Sequence, residues 1–530
     1  MLDLEILLKK IKHRKKELVI LGSLAFYFFL FFCRHILLHA ADIGRFITNG
    51  REIFAGHFWQ VVSTNYYSYT YSNYPFINHH WLYGVIAYLV HQVGGFSGLT
   101  LFNAGVATTA FGLLVWWSYR KHGLWSTVLA GLVGLPLIVS REEVRPETVS
   151  MLGFSLYFVI LDGYVHKKLS TKWLWISLLS IQLMWQNTHL FFVLGLLQLF
   201  VFWIYAICTK NSQAIKQLGA LGIASGIVTL VNPNGLNGAL MPFNIFKKYG
   251  YSVAENQTLL FMLNRFKEPI QYYEVTLAVV SFLGSCFAFF ISPKKTRSHL
   301  LLYITLSAIV TVATFKIIRL ESFWGLMVIP LVATSIAEIQ RKYHTRLQAI
   351  LSNSIGIMIA TTLGFAVFVA AFKTGLYSPF QPWFGLGTYP GTDGAARFIK
   401  EKRVQGPIFN NYDVGGYLIY YLYPDYQVFV DNRPETYPVD FFADEYILPQ
   451  EDPEAWDALT EKYEINVIVF YRHDLTNWGQ AFLIARIQDE NWIPVFVDNF
   501  SIIFVKNTAQ NEDLIKLFTL PDEMFRITEN

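Results

Sequence analysis

The residues able to do chemistry gather in a few short stretches of the 530-residue chain. HAADIGRFITNGREIFAGHFW carries His39, Asp42, Arg45, Asn49, Arg51 and Glu52. Asp42, Arg45, Asn49 and Glu52 recur at three- and four-residue spacing, so they share one helical face. Asp42, at a loop-to-helix junction, is the candidate for function, whereas Arg51 and Glu52 read as solvated charges of a surface helix. A second stretch is Asn78-His79-His80-Trp81. One of these histidines could bind substrate or phosphate, or both could anchor at a membrane interface with Trp81. Adjacent histidines on a helix point apart, so they do not share a metal without a third ligand. The third stretch, Arg141-Glu142-Glu143-Val144-Arg145-Pro146-Glu147, packs its charges into one tight hairpin. Asn187-Thr188-His189 and Lys316 with Arg319-Leu320-Glu321 complete the set. Arginine suits bidentate contact with phosphate. Arg319 could therefore hold a lipid phosphate or merely lipid headgroups, and the hairpin could equally be a solvated loop. Asn232-Pro233-Asn234-Gly235 reads as turn chemistry.

The elements that must position these groups are membrane helices. The chain is 53% hydrophobic and only 15% charged, where soluble domains carry about 25% charge. Its mean hydropathy is positive. That excludes a large soluble enzyme and a disordered chain. A net charge of +4 gives nucleic acid no electrostatic footing. Cys33, Cys208 and Cys286 read as buried small hydrophobes. Apolar runs long enough to cross a bilayer predict about eleven spans, near 18–32, 98–119, 124–140, 148–165, 173–187, 190–208, 218–231, 272–291, 299–315, 320–339 and 350–372.

Orientation follows from loop charge. Arg120-Lys121, His166 to Lys172, Lys210 to Lys216, Lys294 to Arg297 and Arg341 to Arg346 form a short, basic, cytoplasmic set. The connections 41–81, 141–147, 233–271 and 316–319 form the outer set, so the N-terminus is cytoplasmic and the chemistry-bearing residues lie at the outer face. This register requires 81–93 to be an interfacial helix, not a crossing. Residues 1–374 are then a multi-pass transmembrane domain with an outer first loop at 39–97. Residues 375–530 alternate strand-like QVFVD, NVIVF, IPVFV and SIIFV with amphipathic helices, which predicts an extracytoplasmic α/β domain. In it, a helix N-cap explains Asp413 at least as well as ligand binding does.

This arrangement resembles the type C (GT-C) glycosyltransferases, membrane enzymes that use polyprenyl-phosphate-linked sugars. An acidic residue opens the outer loop after the first span (Asp42), and Arg141, Arg145 and Glu147 resemble the Arg-x-x-Arg-x-acid-like motif of protein mannosyltransferases and aminoarabinose transferases, with one extra residue between the arginines. The chain looks still closer to a group of uncharacterised bacterial multi-pass proteins. It shares with them Gly50-Arg51-Glu52-Ile53, Ser63-Thr64 with Ser68 and Thr70, His79-His80-Trp81-Leu82, Asn187 with His189, Asn232 to Gly235, and Tyr412 to Leu418. Two features depart from the pattern: Asp42 stands alone where paired acids are common, and His80 stands where Glu is common.

The resemblance implies a GT-C fold in the plasma (inner) membrane and transfer of a hexosyl or pentosyl group at its outer face. The donor is a lipid-linked sugar, and the acceptor a hydroxyl of a glycan, lipid or protein. Phosphate leaves readily, so the reaction needs a carboxylate base and cations on the phosphate. Asp42 is the implied base, and one-step displacement implies inversion. Arg45, Arg141, Arg145 and Arg319, with His79, His80 or His189 and with Glu147 in the arginine motif, are the implied substrate and phosphate set. No cofactor is specified; Asp42, Glu142 or Glu143 with a histidine could hold a divalent metal. The competing readings are a non-catalytic relative that binds a glycan or partner through its outer domain, and a transporter. The latter would place charges at mid-membrane in broken helices.

Overall fold

The computed structural model describes residues 2–244, 247, 249–251, 254–351 and 373–525. Through residue 351 its helices are α1 (Leu2–Phe31), α2 (Ile43–Phe54), α3 (Phe58–Ser63), α4 (Trp81–His122) and α5 (Leu124–Val139). Next come α6 (Glu147–Val165), α7 (Thr171–Thr188), α8 (Val193–Cys208), α9 (Ser212–Val228) and α10 (Gly235–Asn244). The series closes with α11 (Leu259–Arg265), α12 (Pro269–Ile291), α13 (Lys294–Lys316) and α14 (Glu321–Leu351). The chain divides into two compact units. One comprises Met1–Arg34, Thr100–Val231 and Val253–Gly385, the other His35–Leu99, Asn232–Ser252 and Leu386–Asn530.

Among the described residues, the named elements of the first unit are helices. Among the described residues of the whole chain, six helical stretches are long and apolar enough to cross a membrane: Trp81–His122, Glu147–Val165, Leu190–Cys208, Pro269–Ile291, Lys294–Lys316 and Ile318–Thr345. The protein is therefore a membrane protein. Leu124–Val139 is apolar but shorter, and the span expected at 350–372 falls outside the described residues. Gly95 has φ +59° and breaks α4. The stretch expected at the interface and the span expected at 98–119 are thus separate helical pieces. Small residues set the closest helix approach, because bilayer helices associate through packing. A Cβ at Gly134 of α5 would lie 2.6 Å from the Gly325 carbonyl of α14. One buried carboxylate ties further helices together. Asp162 on α6 accepts from Trp117 Nε1 at 2.8 Å, Lys121 Nζ at 2.6 Å and the Tyr303 hydroxyl at 2.7 Å. Of the cysteines, Cys33 is buried as expected, but Cys208 is exposed at the end of α8, where an apolar run meets its flanking loop.

The second unit contains α2, α3, α10 and a four-stranded sheet of β1 (Ile408–Asn410), β2 (Val467–Tyr471), β3 (Trp492–Val497) and β4 (Ser501–Lys506). The strand order is β1-β2-β4-β3, with β1 parallel to β2 and the other pairings antiparallel. The amphipathic helices Gly394–Glu401, Pro453–Lys462 and Asn477–Ile487 fall where the sequence predicts them. Phe409, Phe429, Trp456, Ile468, Phe470, Phe482 and Phe504 fill the core. The strand predicted at 427–431 does not join this sheet. Its Val428 pairs instead with Tyr67 and Tyr69, through backbone bonds of 3.1 and 3.2 Å. Alternating apolar residues mark an extended segment without naming its partner.

Candidate functional site

In the second unit the chemistry centres on Asp42. It occupies the cap position of α2, yet its side chain makes no capping bond. Asp42 Oδ1 instead accepts from Arg45 Nη2 at 3.1 Å and from Asn432 Nδ2. Arg45 Nε donates to Asn432 Oδ1 at 3.2 Å, which closes a ring of three side chains. Arg45 is buried, and its guanidinium lies 4.8 Å from the Phe46 ring.

Asn432 is held by its neighbours in sequence. Arg433 donates to both oxygens of Asp431, at 2.8 and 2.6 Å, and also to Asn65 Oδ1 at 3.2 Å. Burial works against the Arg433 charge, but the Asp431 carboxylate outweighs it and holds the guanidinium above its ordinary value. Close backbone approach brings this segment to α2. A Cβ on Gly44 would lie 2.7 Å from the Gly416 carbonyl, and one on Gly415 would lie 2.4 Å from the Asp431 Cα. The Gly-Gly pair at 415–416 thus lets helix Gly415–Leu422 sit between the two.

Asp413 is not the N-cap the sequence suggests. That helix starts at Gly415 with Val414 in the cap position and no side-chain capping bond. Burial, reinforced by the Asp474 and Asp42 carboxylates, pushes Asp413 up to about 6. Asp474 accepts from Asn411 Nδ2 at 3.0 Å and caps Thr476 through its amide and hydroxyl, at 2.8 and 2.6 Å. Glu435 is also raised by burial. Asp413 is thus a second carboxyl within electrostatic reach of Asp42, and nothing in the local sequence announces it.

Other predicted residues of this unit have structural partners. Glu52 is buried, not solvated, and pairs with Arg51 Nε at 3.1 Å and His57 Nδ1 at 3.0 Å. Asn49 accepts from the Tyr67 hydroxyl at 2.8 Å. His39 is fully buried between Tyr417 and Phe500, and burial pushes it down to about 3, so it stays neutral. His79 and His80 precede α4, so their rings do not diverge as helical neighbours would; the centroids lie 3.9 Å apart. His79 Nδ1 lies 3.2 Å from the Ile77 carbonyl, and the His80 ring packs on Phe46. Asn232 makes the expected turn, bonding the Gly235 carbonyl at 2.9 Å.

In the first unit the arginines converge. Arg141 Nη2 lies 3.1 Å from Glu255 Oε2 and 3.6 Å from Glu147 Oε1. Arg145 pairs with Glu255 at 2.5 Å and Glu143 at 2.8 Å. Arg319 pairs with Glu147 at 2.9 Å and Glu255 at 3.3 Å. The hairpin is consequently a partly buried ion-pair cluster built on the buried Glu147, with Glu143 exposed at its edge, and not a solvated loop. Glu255 links all three arginines, although nothing in the sequence singles it out. Burial would raise its carboxyl, but Arg145, Arg141 and Arg319 hold it well below the ordinary range. Burial likewise opposes the Arg141 charge, and Glu255 and Glu147 more than restore it. Glu142 is pushed up to about 6 by burial despite its ion pair with Arg34. His189 acts electrostatically on Glu147; its Nδ1 lies 2.7 Å from Ser150 Oγ, which accepts from Trp185 Nε1 at 2.7 Å. Among the described residues, no three His, Cys, Asp or Glu side chains gather as metal ligands.

One unit thus holds a hydrogen-bonded carboxylate, Asp42, and the other a cluster of guanidiniums. No protein-family model matches the chain, and no curated protein matches it in sequence. Solved structures do. The archaeal oligosaccharyltransferase AglB from Archaeoglobus fulgidus, in complex with an inhibitory peptide and a dolichol-phosphate, superposes with a TM-score of 0.61 at 9% identity. The match covers 94% of this chain and 75% of that one. ArnT from Cupriavidus metallidurans bound to undecaprenyl phosphate gives 0.53 at 15% identity, over 93% of this chain and 98% of that one. The mycobacterial arabinofuranosyltransferase AftD gives 0.50 at 12% identity, over 93% and 41%. Over more than nine-tenths of its length, this chain has the GT-C glycosyltransferase fold.

Proposed function

We propose that this protein is a bacterial membrane glycosyltransferase, moving a hexosyl or pentosyl group from a polyprenyl-phosphate donor to an acceptor hydroxyl. The observation that carries the reading is the partly buried convergence of Arg141, Arg145 and Arg319 in a chain with this fold. Three guanidiniums in a poorly solvated place favour a phosphate that gains negative charge as the sugar leaves. Asp42 supplies the base. Its carboxylate takes the acceptor proton as the hydroxyl oxygen bonds the anomeric carbon and the phosphate oxygen departs, which inverts that carbon. Only one carboxylate needs to act, since phosphate leaves without a general acid.

The reading sets the protein in the plasma membrane with about eleven spans, a cytoplasmic N-terminus and an outer C-terminal domain. The basic short loops support that orientation. Detergent-purified full-length protein, given a panel of radiolabelled undecaprenyl-phosphate sugars and envelope glycan, should consume one of them and release undecaprenyl phosphate. Consumption of none above a heat-inactivated control contradicts the proposal.

A further inference from the structure

We propose that Asn432 is a positioning residue for Asp42; the inference rests on Asp42 acting as the base. The two lie 390 positions apart in sequence, yet both amide atoms of Asn432 are engaged at the site. Its Nδ2 donates to Asp42 Oδ1, and its Oδ1 accepts from Arg45 Nε. Arg45 Nη2 closes the ring on the same Asp42 oxygen. Two donors on one carboxylate oxygen fix the rotation of the carboxylate plane. The amide orientation is determined too, since a flipped Asn432 would set its carbonyl against the carboxylate and its NH2 against a guanidinium.

The backbone that carries Asn432 is equally constrained. Asp431 and Arg433 form a buried two-bond pair, and Arg433 is also tied to Asn65 and lies over Phe76 at 4.9 Å. A side chain with one donor and one acceptor in a planar fork satisfies both partners. Aspartate matches the shape but cannot donate, and it adds a charge beside Asp42. Such an arrangement earns little for folding, because a partly exposed hydrogen bond contributes only about 1 kcal/mol. For catalysis the same constraint matters more, since misplacing a reacting group by ~1 Å can cost roughly a hundredfold in rate.

The test compares wild type with Asn432→Ala and the isosteric Asn432→Asp in the full-length protein, with Asp42→Asn in parallel. It measures turnover of the radiolabelled undecaprenyl-phosphate sugar, binding of undecaprenyl phosphate, and the thermal midpoint. Both Asn432 variants should lose roughly ten- to a hundredfold in kcat. KM and undecaprenyl-phosphate binding should stay within about twofold, with an almost unchanged midpoint, because the carboxylate acts on the acceptor and not on the donor phosphate. Asn432→Gln, which keeps the amide, should recover part of the loss. Wild-type kcat in Asn432→Ala beside an inactive Asp42→Asn overturns this inference alone. A loss that tracks the thermal midpoint or appears only in KM also overturns it. Wild-type kcat in Asp42→Asn overturns the reading of Asp42 as base, and this inference with it.

Discussion

At the scale of single residues, Glu255 and Asp413 are groups whose environments set their chemistry. Glu255 pairs with Arg141, Arg145 and Arg319, the guanidiniums that the proposed function gives to the donor phosphate. Glu255→Gln should therefore bind undecaprenyl phosphate several-fold more tightly. It should also destabilise the ligand-free protein by about 3 kcal/mol, because it leaves buried cations uncompensated. Lipid-binding titration and thermal unfolding read the two effects separately. For Asp413 the sign is the reverse of the usual carboxylate case. Its folded-state value lies near 6 against an ordinary 3.8, so the folded protein keeps a proton that the unfolded chain has released. The stability from that proton is complete below about pH 4 and lost as pH rises through 6. Asp413→Asn should stabilise the protein at pH 7.5 by up to about 2 kcal/mol and leave it unchanged near pH 3.5. A gain of equal size at both pH values would contradict that origin.

The individual residues that sequence made visible were those with a local signal. Asp42 follows an apolar run, and Arg141, Arg145 and Glu147 crowd one hairpin. Asn432 and Glu255 had no such signal. Each is a single polar residue in an irregular segment, and its meaning comes only from partners far along the chain. The Asp413 N-cap reading failed for a related reason: turn composition locates a helix start to within a residue or two, not the cap itself.

At the scale of elements, the approach of α2 to helix Gly415–Leu422 governs the Asp42 site. Gly44→Ala would drive a methyl to within 2.7 Å of the Gly416 carbonyl. We expect a loss of about 1–3 kcal/mol and a fall in turnover beyond what the stability loss explains, as the ring of Asp42, Arg45 and Asn432 opens. Turnover in proportion to folded protein would show that the approach does not position the site. Helices were legible because apolar periodicity is a local property, and even the break at Gly95 falls where loop charge had demanded a change of direction. The segment at 427–431 was not, because an extended run can pair with the first loop as well as with a sheet.

For the whole molecule, fold likeness and charge pattern point the same way. Solved glycosyltransferases superpose over more than nine-tenths of the chain despite identities of 9–16%. The proposed orientation predicts that a C-terminal alkaline phosphatase fusion is active and a C-terminal green fluorescent protein fusion dark; the opposite pair would reverse the topology. The central claim is that this fold performs glycosyl transfer with Asp42 as base. The most direct measurement is transfer from a radiolabelled undecaprenyl-phosphate sugar by purified wild type and Asp42→Asn at equal folded concentration. We predict labelled product from wild type and at least a thousandfold less, by the order of magnitude expected for losing a catalytic base, from the variant. Equal product from both would contradict the claim.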